Sequence, residues 1–138
     1  MGKILQFSSL TQGHGAPGMV MTFHSLLPHY AYNPALCERM HQAIESAQDC
    51  IWKRGLLYKE SSLCHGAAGN ALALSNREQA AHFLAWSTEE RVEKGLRDDE
   101  MEAASFRSSL MTGLAGRAFA YCAFEEERFG ICLGFNEI

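Results

Sequence analysis

Three glycine-rich turns, each opening a run of apolar residues, constrain what this chain can fold into more than any other feature. Gly13-His14-Gly15-Ala16-Pro17-Gly18 precedes Met19-Val20-Met21-Thr22-Phe23, Gly66-Ala67-Ala68-Gly69 precedes Asn70-Ala71-Leu72-Ala73-Leu74, and Gly113-Leu114-Ala115-Gly116 precedes Arg117-Ala118-Phe119-Ala120-Tyr121. The last glycines of the three turns fall at 18, 69 and 116, so the steps are 51 and 47 residues. A period near 50 with a glycine turn at the head of each apolar segment reads as a repeat of helical hairpins, each burying its apolar side against its neighbours. The fold class expected is therefore all-α.

The middle turn also carries chemistry. Cys64 and His65 stand side by side just before Gly66. Adjacent residues point about 100° apart on a helix, so the pair belongs to the turn rather than to the helix that follows. At such a helix start the free N–H groups are expected to lower the thiol pKa and favour thiolate, the form that binds metal or attacks an electrophile. The plain alternative is a buried cysteine beside a capping histidine.

Between the turns, periodicity places the remaining helices. Val20, Phe23 and Leu27 give one apolar side to a first inner helix that Pro28 ends. Asn33 as N-cap with Pro34 behind it starts an outer helix, in which Leu36, Met40, Ile44, Ala47 and Ile51 form one stripe. Gly55 is expected to close that helix in the left-handed conformation, after Lys53 and Arg54 at the negative end of the dipole. Asn70 to Leu74 is read as a short second inner helix, Arg77 to about Glu93 as a second outer helix, and Gly113 to about Phe124 as a third inner one. Residues 94 to 105 are read as a polar loop.

Four blocks in this order resemble the C-terminal part of lanthionine synthetase C-like (LanC-like) proteins of the eukaryotic kind. They are His14-Gly-Ala-Pro-Gly18, Trp52-Lys-Arg-Gly-Leu-Leu57, Leu63-Cys-His-Gly-Ala-Ala-Gly-Asn-Ala71, and Ser109-Leu110 with Gly113-Leu-Ala-Gly116. The resemblance implies a single partial domain over residues 1–138, the last hairpins of an α/α toroid of seven. It also implies a zinc ion at the centre, held by a Cys of an earlier glycine block and by an adjacent Cys-His pair. Cys64 and His65 match two of these ligands. The third falls on Gly13, which has no side chain to offer, and His14 is the nearest substitute. Thr112 is a second departure, since the family usually has an acidic residue there.

The activity implied is zinc-dependent addition of a thiol, from glutathione or a peptide cysteine, to dehydroamino acids. Such an enzyme is a thioether-forming lyase or transferase, and here it is impaired by Gly13 and by the short chain. The alternative is a non-catalytic helical-repeat remnant that binds glutathione or a protein partner. Lys59, on the approach to Cys64, is a solvated loop lysine or a cation that meets the carboxylate of a glutathione-like thiol. Arg107, with Arg117, is the other candidate anion contact. Catalytic residues are not assigned. A glycosidase toroid is disfavoured, because no pair of carboxylates stands at the inner-helix starts.

Charge and composition narrow the field. The net charge is −4, so no basic face invites nucleic acid, and no run of about 18 apolar residues would span a membrane. Five cysteines without framework spacing suit a reduced, cytoplasmic chain. An array cut to two hairpins and part of a third is expected to leave an open apolar edge and to self-associate through it.

Overall fold

Each helix starts where its sequence offers a local reason to. In the computed structural model, which describes residues 15–57 and 59–130, α1 spans Ala16–Leu26 and runs into one turn of 3-10 helix at Leu27–Tyr30. Helix α2 spans Pro34–Arg54, where the Asn33 side chain accepts from the Leu36 N–H at 3.1 Å and Pro34 needs no partner for a missing N–H. Helix α3 is only Ala67–Leu72, α4 is Arg77–Ala85 behind an Asn76 cap, and α5 is Glu89–Arg97 behind a Thr88 cap. Helix α6 is Leu114–Glu125. No strand occurs among the described residues, so the chain is all-α there.

The helices pack as α1 on α2, α3 on α4, and α6 on both α3 and α4. One core joins them: Val20 and Met21 from α1, Ile44 and Ile51 from α2, Leu63 and Leu74 around α3, Phe83 and Leu84 from α4, and Ala120 from α6. Burying each of the larger side chains contributes about 1.5–3 kcal/mol. Polar ties cross the same seams. Gln48 of α2 donates to the Ala73 carbonyl at 2.9 Å, Asn70 of α3 to the Gly55 carbonyl at 2.8 Å, and the Tyr121 hydroxyl of α6 to the Leu84 carbonyl at 2.8 Å.

Four of the five stripe residues of α2, Met40, Ile44, Ala47 and Ile51, are buried, and Leu36 in the first turn is only half-buried. Three expectations are corrected. Gly55 has φ −81°, in the right-handed region, and is glycine because a Cβ would stand 2.8 Å from the Phe83 ring and 2.5 Å from the Ile51 carbonyl. The second outer helix is two helices, not one from 77 to 93. It stops at Trp86 because Ser87 turns inward, where its hydroxyl lies 2.6 Å from that of Ser61 and its carbonyl accepts from Arg117 at 3.2 Å. The chain then restarts at Thr88 and continues to Arg97, through the first part of the expected loop. Helix α3 begins three residues before Asn70 and ends at Leu72.

The repeat is visible atom by atom. Gly15, Gly66 and Gly113 are the N-caps of α1, α3 and α6, with φ between −126° and −146° and no side-chain cap. The turns before α3 and α6 superpose in sequence at an offset of 47. Ser62 accepts from the His65 N–H at 3.2 Å, as Ser109 does from Thr112 at 3.2 Å. A Cβ on Gly69 would stand 1.8 Å from the Leu63 carbonyl, and one on Gly116 would stand 2.0 Å from that of Leu110. None of these glycines has positive φ among the described ones, so the turns need them for close backbone approach rather than for a left-handed bend.

Candidate metal centre

The loop from Glu60 to Gly66 is a tight backbone wrap. Gly66 and Gly69 both donate to the Ser62 carbonyl, at 3.2 and 3.0 Å, and the Cys64 N–H donates to the Met111 carbonyl of the neighbouring turn at 3.0 Å. Cys64 and Met111 are equivalents at the 47-residue offset, so two successive repeats meet through their own matching residues. That contact fixes where the thiol sits.

Within this wrap the Cys64 and His65 side chains converge. Sγ lies 3.6 Å from Nε2, and both residues are half-buried. Tetrahedral zinc with ordinary bond lengths of about 2.3 Å to sulfur and about 2.05 Å to nitrogen would separate the two donors by about 3.6 Å. The pair therefore fits one edge of such a site. On the far side of the ring, Nδ1 lies 3.9 Å from the Glu60 carboxylate, too long for a hydrogen bond but on the side where a carboxylate would orient a metal-binding imidazole. Among the described residues no third His, Cys, Asp or Glu completes the set. Gly13 and His14, and Cys132, lie outside the described residues.

The electrostatics correct the expected thiolate. Burial pushes the Cys64 thiol pKa up, and the Glu60 carboxylate adds to the rise. Cys64 precedes the N-cap, and the helix behind it is six residues long, so desolvation and a nearby negative charge outweigh the end of a short dipole.

The remaining candidates surround this turn. Arg107 occupies the position equivalent to Glu60 and lines a cavity of about 350 Å³ together with Glu60, Thr112 and Arg117. The Thr112 hydroxyl, equivalent in place to the His65 side chain, is buried without a hydrogen-bond partner among the described residues. Lys59 Nζ lies 3.4 Å from the Glu102 carboxylate, with both side chains 45% exposed. Arg117 is used differently from the anion contact expected of it. Its guanidinium, 8% exposed as a residue, donates to the Ser87 carbonyl and pairs with Glu89. Glu60 is the residue that sequence reading passes over, and Thr112 enters it only as a departure from the family's acidic residue. The 47-residue offset, applied from Arg107 and His65, would have found both.

No helix among the described residues is long and apolar enough to cross a membrane. The cysteines described, Cys37, Cys50, Cys64 and Cys122, are all free thiols.

A zebrafish (Danio rerio) protein named glutathione S-transferase LANCL1 is 39% identical over 61 residues, a stretch that makes up 42% of this chain and 13% of that relative. The matched stretch is thus a small part of the relative's length. The family profile of lanthionine synthetase C-like proteins matches residues 13–128, which include all three glycine turns and the Cys64-His65 pair. On that match, which covers most of its length, the chain belongs to the lanthionine synthetase C-like protein family.

Proposed function

We propose that this chain carries a thiol-handling zinc site of the LanC-like type, with Cys64 and His65 as ligands and the third position impaired by Gly13. The observation that carries this reading is the 3.6 Å separation of Cys64 Sγ and His65 Nε2, the edge of a tetrahedral site. Zinc held there would act as a Lewis acid that lets a glutathione or peptide thiol lose its proton near neutral pH, ready for addition to a dehydroamino acid.

The chain's own residues supply the rest. The wrap of Ser62, Gly66 and Gly69 holds the two donors at fixed separation, so little ordering remains to be done when a metal arrives. Glu60 lies on the Nδ1 side of the imidazole at 3.9 Å, so a proton on Nδ1 would face a carboxylate and leave Nε2 as the lone-pair donor beside the sulfur. Arg107, which lines the 350 Å³ cavity, and Lys59, which faces Glu102 at 3.4 Å, are the cations offered to the carboxylates of a glutathione-like substrate. The name of the zebrafish relative, a glutathione S-transferase, supports the choice of glutathione as the thiol. The toroid remains the expected setting for the site, with the matching turns gathered on one side. The Cys64–Met111 backbone bond supports that arrangement for two of them.

Two protein ligands hold zinc weakly. After dialysis the wild-type chain should retain well under one zinc per chain by elemental analysis, Gly13→Cys should retain close to one, and Gly13→Cys combined with Cys64→Ala should lose it again. Retention by Gly13→Cys no better than wild type would refute the reading. So would one tightly held zinc in the Cys64→Ala chain.

A further inference from the structure

A cavity of about 290 Å³ is lined by the segment after α2, by Ser61 and Ala67, and by Trp86 with residues of α5 and the loop after it. Its apolar wall is Leu56, Leu57, Trp86 and Met101. Three cations line it as well: Arg91, with the guanidinium carbon 4.4 Å from the Trp86 ring centroid, Lys94 one helical turn further on, and Lys59. Glu100 is the one carboxylate on the lining. Lys59 is neutralised by Glu102, whereas Arg91 and Lys94 have no carboxylate within ion-pair distance among the described residues. A local excess of positive charge over an apolar cleft stands out in a chain whose net charge is −4.

We propose that this cleft is a binding site for a small organic anion with an apolar body, one carboxylate at its head. The geometry suits that class for three reasons. The volume lies at the lower end of small-molecule pockets, which leaves room for a short tail and not for an extended chain. The wall is an aromatic ring and aliphatic side chains, with the hydroxyls of Ser61 and Ser87 already engaged with each other at 2.6 Å, so the interior offers apolar contact rather than hydrogen bonds to a polar tail. The Arg91 guanidinium, with its carbon 4.4 Å from the indole centroid, makes no ion pair among the described residues and so is available to a carboxylate, and its contact with the ring removes part of the ordering cost that a mobile arginine would bring. The cleft stands apart from the metal site, since it uses neither Cys64 nor His65, and its test leaves Lys59, the one cation common to both readings, untouched.

Octanoate is a suitable probe, read by the emission of Trp86 in a Trp52→Phe chain, because Trp52 is the other indole and lies against His82 on α4. Titration with octanoate at neutral pH should change the emission saturably, and octylammonium at the same concentrations should not. Lys94→Gln alone, on an exposed position, should weaken octanoate association by about three-fold, and Arg91→Gln with Lys94→Gln by about ten-fold, the size expected for losing one and two partly exposed cations. Unchanged far-UV circular dichroism would show that the variants fold. Absence of a saturable change with octanoate, equal responses to octanoate and octylammonium, or a folded double variant within two-fold of the parent would each overturn the proposal. Zinc retention is unaffected by any of these outcomes, so the two proposals fail separately.

Discussion

Gly69→Ala tests the idea that the thiol turn is built on backbone contact at a glycine. The new Cβ would stand 1.8 Å from the Leu63 carbonyl oxygen and 2.7 Å from its carbon, and Cβ atoms do not come within 3.0 Å of such neighbours. The loop must therefore retreat by at least 1.2 Å. The obstacle is backbone, so no side-chain rotation relieves it. A movement of that size breaks the bonds that define the wrap: Gly69 N–H to Ser62 at 3.0 Å, Gly66 N–H to Ser62 at 3.2 Å and Cys64 N–H to Met111 at 3.0 Å. At about 1 kcal/mol net for each, the loss is about 3 kcal/mol. Alanine's better helix propensity at a position inside α3 returns about 1 kcal/mol. The expected result is a net destabilisation of about 2 kcal/mol, or a fall of about 8 °C in Tm for a chain of this size. Urea unfolding followed by far-UV circular dichroism measures it, with Gly95→Ala as the control, since a Cβ on that buried glycine would meet Met101 side-chain atoms, the nearest at 3.0 Å, and no backbone. A Gly69→Ala chain as stable as wild type, or more stable by the helix-propensity gain alone, would refute the reasoning.

Two further outcomes follow from the same geometry. In chelator-treated protein, alkylation of Cys64 by iodoacetamide, resolved from the other cysteines by peptide mass spectrometry, should have its pH midpoint above that of an ordinary thiol, because the thiolate is the reactive form and burial with Glu60 disfavours it. Removing that charge with Glu60→Gln should move the profile to lower pH, and an unmoved or raised profile would contradict the assignment. Leu63, fully buried, reaches to 3.1 Å from where a Gly116 Cβ would stand, whereas its equivalent Leu110 is 40% exposed beside Leu114 at 50%. We expect self-association through this edge, seen as concentration-dependent sedimentation that Leu110→Ser with Leu114→Ser abolishes; a monomer at all concentrations would rule it out.

Much of the architecture was legible because it depends on local rules. The Asn33-Pro34 start and the four buried stripe residues of α2 are set by capping and period, and both appear where the residues put them. The turn-before-helix placement of Cys64 and His65 follows from their adjacency alone. Legibility stopped where a contact distant in sequence decides the backbone. At Trp86-Ser87 the only local sign of a break is the cap that follows, Thr88 before Glu89 and Glu90, while the contacts that turn Ser87 inward come from Ser61 and Arg117, 26 and 30 residues away. Gly55 looked like a left-handed cap because the ring that excludes a side chain there, Phe83, is likewise remote.

The sequence by itself determined that this is a repeat of helices opened by glycine turns, and which two residues offer sulfur and imidazole nitrogen to one another. A period and a pair of neighbours need no tertiary information. Only the folded chain decided that the two donors come within 3.6 Å of each other and that burial, with Glu60 nearby, raises the thiol pKa instead of lowering it. It also brought Glu60 to the far side of the imidazole. Those properties depend on distances below 4 Å and on loss of water, and such quantities exist only once the backbone has closed around Ser62 and the next turn has docked through Met111.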